Sequence, residues 1–212
     1  ALGEVKGYKI GPAKVKDFSQ WNLQHPGYAP AFETYHGNAS RPAIFERCKN
    51  VAVVEAEVAF IVGAETDTYA TYSSDKVWTD VISHVACAFE FVGSRLLNAS
   101  DATPAQKIAD CANNVAIIVG DARASSSMSK ECIPSLRVNL FRNDSLSASG
   151  YGSSGSFRSS PLESMTWLVN HLSQQGIALR RGDVVVTGAC ALTKDIEIGA
   201  KYTAEFEGIG SV

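Results

Sequence analysis

Residues 53–62, which read Val-Val-Glu-Ala-Glu-Val-Ala-Phe-Ile-Val, constrain the fold of this chain more than any other segment. Nearly all of them are apolar and β-prone, which predicts a strand buried on at least one face. Glu55 and Glu57 interrupt the segment at i and i+2, so their carboxylates lie on the same side, roughly 6–7 Å apart along the strand. Two like charges on a buried face repel each other and lose hydration. Either one pKa rises or a cation sits between them.

A third acid lies in a similar setting, because Glu90 is the lone charge in the apolar residues 88–92. Three carboxylates embedded in hydrophobic strands predict a site for a divalent cation such as Mg²⁺, Mn²⁺ or Ca²⁺, which prefers oxygen ligands. The alternative is a Glu-x-Glu pair on a half-solvated strand without a metal. A position of Glu90 far from the pair, or a lysine or arginine head group at their meeting point, would contradict the metal site.

The composition predicts a globular domain. The chain has 212 residues, of which 45% are hydrophobic, enough for one domain with a substantial core. The net charge of −3, with both signs interspersed, argues against a nucleic-acid footprint or a basic membrane patch. The five cysteines have no zinc spacing and predict reduced thiols in a cytosolic compartment. No signal peptide or membrane-spanning run is expected, and no P-loop, GxSxG or HExxH motif is present.

The other segments predict an α+β, mostly β domain. Residues 3–11 alternate and predict a short strand that carries Lys9 just before a Gly-Pro turn. About eight strands against two longer helices, without βαβ spacing, argue against a Rossmann sheet. The predicted helices run from an Asp75 N-cap to about Ala86, and from the Ser160 cap to just before Gly176. Further predicted elements are a brief helix at 14–23, a strand at 136–141, a mobile Ser/Gly-rich loop at 145–160 and a hairpin around Gly199.

Seven short motifs along the chain are weak individually but specific in their order and spacing. They are Gly7-Tyr8-Lys9-Ile10-Gly11, residues 54–59, residues 89–95, Ile108-Ala109-Asp110 with Val119-Gly120, the 161–168 helix, residues 182–189 and residues 207–212. In this pattern the chain resembles the 2-keto-4-pentenoate hydratases of the fumarylacetoacetate hydrolase superfamily. The resemblance implies a mixed β-roll with a few flanking helices, like the C-terminal domain of fumarylacetoacetate hydrolase. Residues 1–212 are expected to form one catalytic domain, without the helical segment that family members carry before the Lys-x-Gly strand.

The resemblance also implies roles for individual residues. Glu55, Glu57 and Glu90 stand where the family places the carboxylates that hold Mg²⁺ or Mn²⁺. Lys9 matches the lysine of the Lys-x-Gly segment and is expected to be catalytic, with a pKa lowered by burial near the metal. The second catalytic candidate is Lys107, and the expected substrate contacts are Thr187, Gly188, Arg95 and Asp110.

Two departures from the family pattern bear on the reaction. The family's Pro-Asp-Phe-Gly stretch is Pro26-Gly27-Tyr28-Ala29 here, so an acid is missing near the site, and Glu33 is a candidate to replace it. Lys107 occupies a place where the hydrolase and decarboxylase branches keep a lysine. These departures leave the exact reaction open at this point.

The function implied is that of a metal-dependent hydro-lyase acting on a small 2-oxo acid, in the cytoplasm and as a homo-oligomer. It would add water to a substrate like 2-hydroxypenta-2,4-dienoate to give a 4-hydroxy-2-oxo acid. The alternatives are decarboxylation of a 2-oxo diacid, hydrolysis of an acylpyruvate, and a non-catalytic relative that serves as a binding or assembly module.

Overall fold

The computed structural model describes residues 3–44, 51–194 and 196–212, so Cys48 lies outside the described residues. Within these ranges the chain is mostly β, with short helices at its periphery. The strands are β1 Gly7–Ile10, β2 Tyr28–Ala31, β3 Thr34–His36, β4 Val51–Val62, β5 Ile82–Gly93, β6 Asn114–Ala124, β7 Arg137–Arg142, β8 Ser145–Tyr151, β9 Val184–Thr193, β10 Tyr202–Phe206 and β11 Gly210–Ser211. The α-helices are α1 Ser74–Lys76, α2 Pro104–Ala109 and α3 Pro161–Gln174.

Two sheets organise the molecule. The larger is mixed, with seven strands in the order β2-β1-β9-β4-β5-β6-β3, and the smaller has four in the order β11-β10-β7-β8. In the larger sheet β1 runs parallel to β9 and β3 parallel to β6, whereas β4 and β5 pair antiparallel along almost their whole length. This arrangement confirms the predicted α+β, mostly β class. It also places the two glutamate-bearing strands at the centre of the sheet.

Side-chain alternation gives the central strands two different faces. Val54, Ala56, Val58 and Phe60 belong to the main hydrophobic core, together with the apolar side of α3. The opposite face has a second cluster made largely of small residues, among them Ala59. Because side chains alternate along a strand, Glu55 and Glu57 share this second face with Ala59. The small neighbours leave room there for carboxylates.

The helix predicted from the Ser160 cap is confirmed. The Ser160 hydroxyl accepts a hydrogen bond from the backbone N–H of Glu163 at 3.4 Å, and Pro161 occupies the first turn. The helix buries Met165, Leu168 and Leu172 against the sheet. An N-cap, a proline at the first position and an apolar stripe therefore sufficed to place this element.

The helix predicted for residues 75–86 is wrong beyond its first turns. Ser73, not Asp75, caps it, and a single α-turn passes into the π-helical turn Val77–Val81. Strand β5 begins at Ile82 and pairs with β4. The apolar stripe fits both periods, but β-branched residues favour the sheet once a long partner strand such as β4 is available.

The Ser/Gly-rich region was predicted to be a mobile loop, but residues 145–151 form β8 and pair with β7. The small residues permit close packing, since a Cβ on Gly150 would lie only 2.0 Å from the carbonyl oxygen of Cys190. Glycines 150, 152 and 155 also have the Gly-x-Gly-x-x-Gly spacing of dinucleotide-binding loops. Gly150 lies within the antiparallel strand β8 and the other two glycines follow it, without opening a βαβ helix, so this spacing lacks the context that the motif requires.

Three smaller predictions also need correction. Residues 14–23 form two 3-10 turns instead of one helix, and β10 pairs with β7 and β11 instead of with residues around 196–198. Helix α2 was not among the predicted helices, and Thr103 and Gln106 form its capping box. The described cysteines, Cys87, Cys111, Cys132 and Cys190, are free thiols. Among the described residues, the helices are all too short or too polar to span a bilayer.

Candidate metal centre

Strand pairing brings the three predicted carboxylates together. Glu55 on β4 lies directly opposite Glu90 on β5, and Glu57 follows two residues along the same face. Ligand oxygens from Glu55, Glu57 and Glu90 all lie within 4.8 Å of one another. Glu57 and Glu90 are fully buried, whereas Glu55 is half-buried. The cluster therefore has the residue types and spacing that a hard divalent cation requires.

Lys9 lies against this cluster. Its Nζ is 2.9 Å from Glu90 Oε1 and donates to the carbonyl oxygen of Ala112 at 3.3 Å. Burial alone would lower the pKa of Lys9, but attraction to the three glutamates outweighs burial and raises that pKa. The lowered pKa expected for Lys9 concerns the site with its metal and stays a prediction. Without the cation, Lys9 is a charged counter-ion.

One ammonium group does not balance three carboxylates. Burial, followed by repulsion from Glu90 and Glu55, holds the pKa of Glu57 well above its usual range. Burial and repulsion from Glu90 also raise the pKa of Glu55. Raised carboxyl pKa values in a buried cluster indicate that positive charge is still lacking there. This deficit is what a divalent cation would correct.

Glu90 shows most directly that the donors fit a cation. Its Oε1 is held by Lys9 and also accepts a hydrogen bond from Asn114 Nδ2 at 2.9 Å. Its Oε2 is buried and has no hydrogen-bond partner among the described residues. A lysine head group at the meeting point of the carboxylates would contradict a metal site. Lys9 does contact the cluster, but it pairs with Glu90 Oε1 and leaves Glu90 Oε2 free. The free Oε2 and the charge deficit both favour a cation.

The backbone of β9 orients Glu57. The N–H of Gly188 donates to Glu57 Oε2 at 2.7 Å, where the pairing of β4 with β9 shifts register. Gly188 has φ +117°, and a Cβ there would lie 2.4 Å from the carbonyl oxygen of Gly155. Only glycine fits both the backbone conformation and the space.

We expect Gly188→Ala to lower the free energy of unfolding by about 3 kcal/mol or more, because a left-handed conformation and a backbone clash add up. Gly208 is the matched control. It also has positive φ, +74°, but a Cβ there would meet nothing within 4 Å. Gly208→Ala should cost about 1 kcal/mol. Urea unfolding of both variants measures the difference, and equal losses would contradict the close approach at Gly188.

An open cavity of about 270 Å³ lies over the cluster. Lys9, Glu55, Glu57 and Gly188 are among the residues that line it. The lining residues that were not predicted include four with charged, amide or indole side chains: Lys14, Asp17, Trp21 and Asn113. Asp17 contributes an acid at the wall, whereas Glu33, the candidate to replace the missing family acid, does not line the cavity and accepts a hydrogen bond from Tyr35. A larger cavity of about 470 Å³ lies beside Val54 and Phe89 on the opposite face of the sheet, away from the carboxylates.

Lys107, the second predicted catalytic residue, does not line the cavity over the carboxylates. It is on α2, and its Nζ is 5.9 Å from the centroid of the Trp21 ring, a cation–π distance. Trp21 itself lines the cavity. The ammonium group of Lys107 thus adds positive charge behind the aromatic wall, and its direct part in catalysis stays a prediction.

The predicted substrate contacts have different surroundings. Gly188 lines the cavity, whereas the Thr187 hydroxyl is buried and donates to the carbonyl oxygen of Val58. Arg95 pairs with Asp110 at 3.0 Å and donates to the carbonyl oxygen of Asn114 at 2.7 Å. For Thr187, Arg95 and Asp110 this geometry favours a supporting role behind the wall, so their direct contact with a substrate stays a prediction.

Comparison with known proteins agrees with this architecture. The fumarylacetoacetate (FAA) hydrolase C-terminal family matches residues 27–212. The chain is 25% identical over 211 residues to a 2-keto-4-pentenoate hydratase of Paraburkholderia xenovorans, covering 98% of this chain and 74% of that protein. It is 27% identical over 216 residues to the TodF product hydratase of Pseudomonas putida, covering 97% of this chain and 74% of the relative.

Solved structures share the fold. The 4-oxalocrotonate decarboxylase from Pseudomonas putida G7 in complex with magnesium and adipate superposes with a TM-score of 0.79, at 21% identity, covering 99% of this chain and 76% of that one. The same decarboxylase with calcium and acetate gives a TM-score of 0.80 at 20% identity, with the same coverage. The likeness concerns the fold, and the family match spans most of the chain. The protein therefore belongs to the fumarylacetoacetate (FAA) hydrolase C-terminal family.

Proposed function

We propose that this protein is a divalent-metal-dependent hydratase of a small 2-oxo acid. Its substrate would resemble 2-hydroxypenta-2,4-dienoate, and its product would be a 4-hydroxy-2-oxo acid. The main support is the buried cluster of Glu55, Glu57 and Glu90, in which Glu90 Oε2 lacks a partner while Lys9 stands beside it. Family membership and the names of the relatives point to the same chemistry.

The three glutamates would hold the cation, for which we propose Mg²⁺ or Mn²⁺. When bound, it would supply Lewis acidity that stabilises negative charge on the 2-oxo group of the substrate. Gly188 keeps Glu57 oriented through its N–H, and Asn114 and Lys9 both contact Glu90 Oε1 and fix that carboxylate. The ligand carboxylates are thus braced before any substrate arrives.

Lys9 is the residue best placed to move a proton or to hold the substrate carboxylate. Lys9 lines the cavity, and its Nζ is the one cationic group seen in an ion pair with the cluster among the described residues, through Glu90 Oε1. A proton must leave the enol oxygen and another must reach carbon during ketonisation. An ammonium group that is buried beside carboxylates can donate that proton and recover it.

The test is turnover by purified protein after chelation and readdition of metal. We expect 2-hydroxypenta-2,4-dienoate to be consumed with Mg²⁺ or Mn²⁺, to require the added metal, and to yield a 4-hydroxy-2-oxo acid by NMR. A panel that also contains oxaloacetate and an acylpyruvate covers the sibling reactions. Lack of turnover on all three substrates with either metal would contradict an enzymatic function.

Decarboxylation of a 2-oxo diacid is the second candidate, favoured by the positive charge around the cavity. Lys14 lines the wall, and the ammonium group of Lys107 lies against the Trp21 ring. The positive charge of these two lysines would attract a second carboxylate on the substrate. Release of CO₂ from a diacid that exceeds hydration of the dienoate would select this function. A homo-oligomer, a cytoplasmic location and a single catalytic domain over residues 1–212 remain part of the same proposal.

A further inference from the structure

The turn that precedes β6 carries the amide side chain of Asn113, which takes no part in the contacts of the metal centre described above. Asn113 ends the turn Cys111–Asn113 and lines the cavity over the carboxylate cluster. Its Oδ1 is buried and has no hydrogen-bond partner among the described residues. A buried acceptor without a donor is unfavourable, because it has lost its hydrogen bonds to water. A donor supplied by a ligand would satisfy it.

The backbone at this turn is held in an unfavourable conformation. Cys111, Ala112 and Asn113 have φ values of +54°, +49° and +64°, a left-handed run that non-glycine residues rarely adopt. The turn is tied down by neighbouring contacts, since Asn113 N–H donates to the carbonyl oxygen of Asp110, and Arg95 donates to that of Asn114. Strained backbone that is braced in this way is characteristic of functional sites.

The turn also lies beside the proposed reacting groups. Lys9 Nζ donates to the carbonyl oxygen of Ala112, the residue before Asn113. Asn114, the residue after it, donates to Glu90 Oε1. Asn113 is therefore flanked in sequence by the two residues that contact the Lys9–Glu90 pair. Asn113 itself lines the cavity, and its Oδ1 is the unpartnered acceptor of this turn.

We propose that Asn113 Oδ1 accepts a hydrogen bond from the water that is added to the substrate, and afterwards from the 4-hydroxyl group of the product. This inference rests on the proposed hydratase function. Ketonisation of the dienoate places a proton on C5 and leaves a C3=C4 double bond conjugated with the 2-oxo group. In the addition step the water oxygen forms a bond to C4 and the C3=C4 π pair moves towards the 2-oxo group. The water loses one proton and C3 gains one, so water alone is consumed. An amide does not take up that proton, and Asn113 acts by orienting the water lone pair.

The test separates hydration from enolisation. In D₂O the saturated acid 2-oxopentanoate exchanges its C3 protons through the same enolate but has no double bond to hydrate. Asn113→Gly removes the acceptor and tolerates positive φ. We expect this variant to lose hydration about 100-fold, the loss typical of a misplaced reactant. Its Mg²⁺-dependent C3 exchange should stay close to that of the wild type.

Cys111→Gly is the matched control, because it makes the same backbone change in the same turn at a residue that does not line the cavity. Both reactions should survive in it. Asn113→Asp keeps an acceptor at the position and should hydrate faster than Asn113→Gly. If hydration is unchanged in Asn113→Gly, or if hydration and exchange fall together, the assignment is overturned. If the wild type exchanges C3 protons but does not hydrate the dienoate, the proposed hydratase function is wrong, and the proposed water site at Asn113 is wrong as well.

A binding measurement gives an independent readout. The unreactive pair 2-hydroxypentanoate and 2,4-dihydroxypentanoate differs only in the 4-hydroxyl group. With Mg²⁺ present, the wild type should bind the dihydroxy acid about tenfold more tightly, as one satisfied hydrogen bond predicts. Asn113→Gly should bind the two equally. A preference that persists in Asn113→Gly would assign the 4-hydroxyl to another residue and overturn the proposal.

Discussion

Glu57→Gln should weaken Mg²⁺ binding at least about 100-fold and reduce metal-dependent turnover to the background. Loss of an outer-shell partner alone typically costs 10–100-fold in metal affinity, and Glu57 is a candidate ligand itself. Glutamine has the same shape, and its amide oxygen can still accept the hydrogen bond from Gly188 N–H that now reaches Glu57 Oε2. The substitution therefore removes a charge while leaving the fold in place. Calorimetry with Mg²⁺ measures the affinity directly.

The same variant should be at least as stable as the wild type when no metal is present. The folded-state pKa of Glu57 is raised, so its contribution to stability is fully present below the unfolded pKa and is lost as pH rises through the folded pKa. Glutamine does not ionise and avoids this loss at neutral pH. With metal the order reverses, because Mg²⁺ at 100 times the Kd of the wild type adds about 2.7 kcal/mol to the wild type, whereas a variant with 100-fold weaker binding gains about 0.4 kcal/mol.

Glu65 provides the control, since it is an exposed glutamate on the loop after β4. Glu65→Gln should bind Mg²⁺ and turn over as the wild type does. Equal Mg²⁺ affinity in Glu57→Gln and the wild type would show that the three carboxylates are not the metal site. It would also favour a non-catalytic binding or assembly module, the alternative that keeps the fold without the chemistry.

The sequence predicted the carboxylate cluster because its geometry is mostly local. Alternation along β4 places Glu55 and Glu57 on one face, and an antiparallel partner with a single embedded acid brings Glu90 alongside. The partner of Lys9 could not be read in the same way. β1 enters the sheet by pairing in parallel with β9, which lies far along the chain. β9 pairs with β4, and β4 pairs with the Glu90 strand β5, so Lys9 meets Glu90 only through this succession of strands.

Other features depended on contacts that sequence patterns do not encode. Residues 82–85 belong to an apolar stripe that is typical of a helix, but they pair with the long strand β4 and form part of β5. Residues 145–151 read as a flexible loop, but their small side chains allow the close approach of β8 to the rest of the fold. The position of Asn113 in the wall of the cavity could not be predicted, because neither its left-handed backbone nor its buried oxygen leaves a signal in the order of residues. In the sequence, the pair Asn113-Asn114 has the polar composition of an ordinary surface loop.

Replacing Lys9 by methionine should have opposite effects on folding and on metal binding. The side chains are similar in length, but the variant lacks the ammonium group that pairs with Glu90 in the carboxylate cluster. Breaking a buried ion pair by removing one partner typically costs 3–5 kcal/mol, so we expect the metal-free variant to lose about 3 kcal/mol at neutral pH. The loss should shrink at lower pH, where the carboxyl groups with raised pKa values become protonated and no longer need a counter-ion.

Mg²⁺ should bind Lys9→Met at least as tightly as the wild type, because the cation is no longer repelled by an ammonium group beside Glu90. Turnover should nevertheless fall about 100-fold or more, the range expected when a proton-transfer group is lost. Lys16 is exposed in the neighbouring 3-10 turn, and Lys16→Met should change neither property. Urea unfolding with and without Mg²⁺, together with calorimetry, distinguishes the outcomes. Weaker Mg²⁺ binding in Lys9→Met would mean that Lys9 supports the metal site instead of neutralising it, and an unchanged rate would remove Lys9 from the mechanism.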